Sequence, residues 1–233
     1  MSHYKNLFFD LDDTLWAFSE NTWETFEEMY HQFNYERFFS SFKHFYRLYE
    51  WRNLQLWNEY GLGEITKEEL NRQRFLYPLE AVKVANAAEL AAAFAERFFA
   101  TIPTKSGVMP HAHEVLEYLS PRYNLYILSN GFQELQRRKM QSADIDRYFK
   151  QVILSDDIGV LKPRLEIFHF ALSATQSQPE ESLMIGDNWE NDIAGARGAG
   201  IDQVFYDVYA DRDYYPFAPT YHIADLMELT EFL

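Results

Sequence analysis

Cysteine is absent from the 233 residues, which excludes disulfides, thiolate nucleophiles and Cys-based zinc sites together. Positive charge is also scarce: 21 Lys and Arg face 36 Asp and Glu, a formal net charge of -15. Nucleic acid and anionic membranes are bound mainly through excess Lys and Arg, so this balance argues against both. No apolar run approaches the roughly 20 residues that a bilayer span needs, and the first residues show no basic-then-apolar leader. The expectation is a soluble, cytoplasmic protein, a monomer or homodimer, whose partners are small molecules rather than a nucleic acid polymer or a membrane. Hydrophobic residues make up 47% of the chain, enough for a substantial core. Against a prior of roughly 150 residues per domain, the length allows one large or two modest domains.

Two textures alternate along the chain. A strand candidate, Leu7 to Phe9, comes first and ends at a cluster of aspartates. Residues 17 to about 101 then contain no convincing strand. In "FKHFYRLYEWRNLQLWNEY", Phe42, Phe45, Tyr46, Tyr49, Leu56, Trp57 and Tyr60 recur mostly at three- and four-residue intervals, the period of one helix face. Thr66 and Glu69 form a capping-box pair for another helix, and "AAELAAAFAERFF" predicts a further one ending before Pro103. From Pro110 the pattern changes to helices alternating with short apolar strands, "LYILSN", "QVILS", "SLMIGD" and "QVFYD". That alternation is the pattern of a parallel sheet with helices on both faces. The economical reading is an α/β class, Rossmann-like core from residues 1–16 and 102–233, interrupted by an all-helical insertion at 17–101.

In open α/β sheets ligands sit beyond the carboxyl ends of the strands. After the first strand come Asp10, Asp12 and Thr14; after "LYIL" come Ser129, Asn130 and Gly131. Lys162 lies beyond "QVILS", and Asp187 and Asp192 follow "LMIG". Several carboxylates in one crevice repel strongly unless a cation neutralises them. Oxygen donors without His or Cys suit a hard ion, and Mg²⁺ typically takes one or two carboxylates while bridging to a phosphate. Lys162 and the Ser129 hydroxyl are then natural partners for phosphoryl oxygens. In extended chain Asp10 and Asp12 share one side, so that one carboxylate could attack and the other move protons.

In order, "DLDDT", "SNG", "KP" and "GDNWEND" resemble the four motifs of the haloacid dehalogenase-like superfamily, in its phosphatase branch with a helical cap inserted after the first strand. That resemblance implies Asp10 as nucleophile and Asp12 as general acid/base. It implies phosphate binding by Ser129, Asn130 and Lys162. It also implies a Mg²⁺ held by Asp10, the Asp12 main-chain oxygen and Asp187, with Asp192 acting through a metal-bound water and Thr14 in support. True dehalogenases lack the second acidic residue of the first motif; Asp12 is present here, which favours phosphoryl chemistry. "NGFQELQ", "SDDIGVLKP" and "IFHFAL" are further similar to nucleoside 5'-monophosphate phosphatases that prefer pyrimidines. The implied reaction is hydrolysis of a small phosphomonoester, a nucleotide above others, through an aspartyl phosphate.

Trp16, Phe18 and Trp23 lie where the insertion leaves the core and are candidates to stack on a base, although helical aromatics are usually core. Arg47, Arg52, Arg72 and Arg74 could meet a second anionic group, but solvated faces are the favoured expectation. Three other functions compete. A signalling receiver domain clusters similar groups but is about half this length and carries its phosphoacceptor after a middle strand. A calcium loop starting at Asp10 fails, because its sixth position is Leu15 and its twelfth Asn21, where Gly and Glu are needed. A phosphosugar mutase of the same superfamily is the nearest rival.

Overall fold

The structure, a computed structural model, describes residues 3–208 and 215–233. Strand β1 (Asn6–Phe9) is followed by four helices, α1 (Phe18–Gln32), α2 (Phe42–Gly61), α3 (Lys67–Ala81) and α4 (Ala87–Thr101). The chain continues through α5 (Ala112–Leu119), β2 (Asn124–Ser129), α6 (Gln133–Ser142), β3 (Gln151–Leu154), α7 (Leu165–Thr175) and β4 (Ser182–Gly186). Helix α8 (Gly195–Gly198), β5 (Asp202–Tyr206), β6 (Tyr221–Ile223) and α9 (Leu229–Phe232) complete it. By contact the chain forms two compact units, Met1–Phe18 with Ser106–Leu233, and Ser19–Lys105.

The first unit is built on a six-stranded sheet in the order β3-β2-β1-β4-β5-β6, with all neighbouring strands parallel. Leu7, Phe8 and Phe9 are all buried, as a strand covered on both faces requires. On one face, Phe8, Tyr126, Leu128, Ile153 and Met184 pack against Ile167, Phe168 and Ala171 of α7. Strand β6 has no counterpart among the sequence-predicted strands; at three residues it is too short to show a period of two.

The helical unit is held by aromatic packing. Phe26 of α1 is fully buried, with ring centroids of Tyr49 at 4.3 Å, Phe98 at 5.1 Å and Phe94 at 5.4 Å. Thr66 caps α3, its hydroxyl accepting from the Glu69 N–H at 3.2 Å. The Glu69 carboxylate accepts from Arg72 and Gln73, each at 2.8 Å, so it supports the first turn through side chains. Trp23 meets Phe42 and Tyr46 edge-on at 4.8 and 4.9 Å, which commits much of its ring to helix packing. Arg74 departs from the expected solvated face: it is buried, its guanidinium 5.1 Å from the centroids of Phe75 and Phe99. An arginine stem and its flat cationic head are compatible with such an aromatic setting.

Candidate active site

Strand β1 lies between β2 and β4, so the connections on its two sides run in opposite directions and open a crevice at its carboxyl end. Asp10 stands there, its N–H donating to the Ile185 carbonyl at 2.9 Å and so continuing the β1–β4 ladder. The next residues form a tight turn in which the N–H groups of Leu15 and Trp16 both donate to the Leu11 carbonyl, at 3.0 and 2.8 Å. Asp13 adopts φ 58, a left-handed conformation that aspartate tolerates better than most residues. Beyond the turn the outgoing chain is tied to residues 107–109, through Met109 N–H to Leu15 O at 2.8 Å and Ala17 N–H to Gly107 O at 3.1 Å. The turn carrying Asp12 and Thr14 is therefore fastened at both ends.

Lys162 reaches the same crevice. Its buried ammonium donates to Asp10 Oδ1 at 2.8 Å, Asp192 Oδ1 at 2.6 Å and the Leu128 carbonyl at 2.7 Å, which uses all three of its N–H bonds. Asn130 holds Lys162 by its main chain, Oδ1 accepting from the Lys162 N–H at 2.7 Å and Nδ2 donating to the Lys162 carbonyl at 3.0 Å. The Asn130 amide, a sequence candidate for phosphate binding, is thus spent on placing Lys162. Asp192 is fully buried; its Oδ2 accepts from the Asn188 N–H at 3.1 Å. That close approach needs Gly186, where a Cβ would fall 2.3 Å from Asp192 Oδ2. The Thr14 hydroxyl donates to Asp187 Oδ1 at 3.0 Å and accepts from the Asp187 N–H at 3.1 Å.

Asp12 has different companions. Lys139 Nζ donates to its Oδ1 and Gln136 Nε2 to its Oδ2, both at 2.8 Å. The same Gln136 nitrogen lies 2.8 Å from the Ser129 hydroxyl. Gln136 and Lys139 escaped the sequence reading, although both are buried polar residues three apart on α6, one turn into the helix that follows "SNG". The helix reads QELQRRKMQS, polar at eight of its ten positions, so its sequence carried no signal that set these two apart. Trp16 is fully buried with the Lys139 ammonium 4.6 Å from its ring centroid, and Phe18 lies 5.1 Å from that ammonium. The ring offered by the sequence as a base-stacking candidate at position 16 has its companion in a lysine of the same unit.

The model of the haloacid dehalogenase-like hydrolase family matches residues 4–200, most of the chain. The chain belongs to that family. Among similar proteins is the pyrimidine 5'-nucleotidase YjjG of Escherichia coli, 30% identical over 229 residues that cover 97% of this chain and 96% of that one. The phosphoserine phosphatase of Thermus thermophilus is also 30% identical, over 97% of each chain. The Bacillus subtilis protein YfnB, solved bound to magnesium, superposes with a TM-score of 0.87 at 25% identity, covering 99% of this chain and 98% of that one. Two relatives of equal identity act on different phosphate esters, so family membership establishes a hydrolase and leaves the substrate to be argued.

This haloacid dehalogenase-like hydrolase holds more negative charge at its crevice than its own cation balances. One oxygen from each of Asp10, Asp187 and Asp192 lies within 4.8 Å of the others, and Lys162 supplies a single positive charge among the three carboxylates. Burial pushes Asp10 up to about 7, with Lys162 opposing and Asp192 adding to the rise. Burial likewise raises Asp187 well above the ordinary carboxylate range, reinforced by Asp10 and Asp192. For Lys162, burial works against its charge but the two carboxylates outweigh it, so it stays an ammonium. Two uncompensated charges on an all-oxygen donor set fit a divalent hard cation such as Mg²⁺.

This charge pattern has a measurable sign. A carboxyl whose folded pKa lies above its unfolded value binds more protons in the folded state, so it favours folding at low pH and loses that contribution as pH rises. For Asp10 the window runs from 3.8 to about 7. The metal-free protein should therefore melt at a lower temperature at pH 7.5 than at pH 5.5, with Mg²⁺ raising the melting temperature far more at pH 7.5. Equal Mg²⁺ shifts at the two pH values would contradict the charge accounting.

Proposed function

We propose that this chain hydrolyses small phosphomonoesters in a Mg²⁺-dependent reaction, with a nucleoside 5'-monophosphate as the favoured substrate. The observation that carries the reading is that two carboxylates leave one strand end with different counter-charges, Asp10 on Lys162 and Asp12 on Lys139. Two acids in separate settings suit two separate roles. Asp10 attacks phosphorus, the phosphorus–oxygen bond to the alcohol breaks, and the electron pair left on the alcohol oxygen takes a proton from the Asp12 carboxyl. Asp12, now ionised, takes a proton from water; the water oxygen bonds to phosphorus, the bond to Asp10 breaks, and phosphate leaves. Ser129 binds phosphoryl oxygens and Lys162 turns one of its three hydrogen bonds from a carboxylate to them, while Asp10 with Asp187 and the Asp12 main-chain oxygen would hold the ion, with Asp192 and Thr14 behind them. The bound ion supplies Lewis-acid neutralisation of the phosphoryl oxygens.

The nucleotide preference is supported by the likeness to YjjG along nearly the whole chain. The test is phosphate release from nucleoside monophosphates, phosphoserine, phosphosugars and phosphoacids, with Mg²⁺ and with a chelator. Pyrimidine monophosphates should rank first and chelation should abolish release. Preference for phosphoserine would replace the nucleotide reading, isomerisation without phosphate release would point to a mutase, and inertness toward every ester would defeat the phosphatase reading itself.

A further inference from the structure

We propose that Lys139 and Gln136 are positioning residues that hold the Asp12 carboxylate at the angle needed to deliver and remove a proton. This inference rests on the phosphatase reading above and adds two residues to it.

Both Asp12 oxygens are taken by donors from a single helix face, Lys139 on Oδ1 and Gln136 on Oδ2. A carboxylate gripped at both oxygens has its two side-chain torsions fixed. The Asp12 side chain remains 26% exposed, so it is held from behind and open in front. The donors are themselves rigid. Lys139 is 4% exposed, and its ammonium rests near the Trp16 and Phe18 rings, which replace part of the water it has lost. Gln136 is fully buried, and its nitrogen also spans to Ser129 Oγ, so one amide fixes Asp12 and a candidate phosphate ligand at a common distance.

Two features indicate that this arrangement is specified rather than incidental. The Gln136 carbonyl oxygen is buried and lacks a hydrogen-bond partner among the described residues, so the amide is oriented for its nitrogen at the expense of its oxygen. Gly131 leaves the room that this orientation requires, since a Cβ there would lie 2.1 Å from Gln136 Nε2. A salt bridge serving stability alone would ask for neither.

The geometry has a kinetic consequence. Proton transfer by a placed side chain is worth about 10²- to 10⁴-fold, and a displacement of about 1 Å is enough to lose roughly 10²-fold. An alkyl phosphate needs a proton on its leaving oxygen, whereas p-nitrophenolate leaves without one. With p-nitrophenyl phosphate, a misplaced Asp12 should therefore spare formation of the aspartyl phosphate and slow only its attack by water.

The experiment compares the full-length protein with its Lys139→Met, Lys139→Arg and Gln136→Met variants in Mg²⁺. Each is assayed on the best alkyl ester of the substrate screen and, by stopped flow, on p-nitrophenyl phosphate. Lys139→Met should lower kcat on the alkyl ester about 10²-fold, with KM changing less than about threefold. On p-nitrophenyl phosphate it should show a burst approaching one nitrophenolate per site before slow turnover. Lys139→Arg should recover most of the loss, and Gln136→Met should show the same burst with a smaller drop in kcat. Equal losses on the two esters without a burst, or unchanged kcat on both, overturn the proposal. If Lys139→Met does not fold, Gln136→Met decides by the same criteria. A wild-type protein inert toward both esters, and no different from Asp10→Asn, would instead mark failure of the phosphatase reading.

Discussion

Replacing Asp10 by Asn should abolish phosphate release, by at least about 10³-fold in kcat, while the protein stays folded. The amide is nearly isosteric and keeps an oxygen that can accept from the Lys162 ammonium, now 2.8 Å from Asp10 Oδ1. What it removes is the lone pair that would attack phosphorus and one of three crowded negative charges. The second loss makes a companion expectation. Burial pushes the Asp10 carboxyl up to about 7, so ionising it at pH 7.5 opposes folding, and the metal-free Asn variant should melt at or above the wild-type temperature. The Mg²⁺-induced rise in melting temperature should shrink in the same variant. Chromogenic phosphate assays and thermal melts with and without Mg²⁺ measure all three. Retention of more than a tenth of wild-type turnover by a folded Asn variant would remove Asp10 from the nucleophile's role.

Lys162→Met should cost about 3–5 kcal/mol of stability at neutral pH as well as activity. The side chains are of similar length, so the effect is chiefly electrostatic. Lys162 is the ammonium shared by Asp10 and Asp192, and Asp192 is fully buried with its other oxygen on the Asn188 N–H. Removing the cation leaves buried carboxylates facing one another, a larger penalty than the pair's net contribution. The loss should narrow at pH 5, where protonation relieves the repulsion. It should also be partly repaired by adding Asp192→Asn. Urea unfolding of the three metal-free proteins at both pH values is the measurement. A destabilisation below about 1 kcal/mol at neutral pH would show that Asp192 is neutralised by something other than Lys162.

Much of this protein was legible along the chain because the relevant periods are local. The five strands β1–β5 follow from short continuous apolar runs, and the helical face of α2 and the Thr66 cap from spacings of three or four residues. The polar residues at Asp10, Ser129, Lys162, Asp187 and Asp192 could be grouped from the rule that strand carboxyl ends share one rim. The structure brings Asp10, Asp187, Asp192 and Lys162 together there.

Other features were not legible, for identifiable reasons. Strand β6 has three residues and is defined by its pairing with β5 rather than by its own pattern. That the Asn130 side-chain amide bridges the Lys162 main chain, 32 positions away, could not be read from either stretch alone. Arg74 looks like a surface residue until Phe75 and Phe99 are found beside its guanidinium.

The order and chemistry of its residues were sufficient to determine a parallel α/β core of the haloacid dehalogenase-like hydrolase family with carboxylates grouped at its strand ends. Apolar strand runs and loop composition are written in neighbouring positions. Which cation serves which carboxylate was decided only by folding. Lys162 and Lys139 lie 23 positions apart in sequence, yet one meets Asp10 and the other Asp12. That assignment follows from the register of β1 beside β2 and from the face that α6 turns inward, and neither is a property of any short stretch of chain.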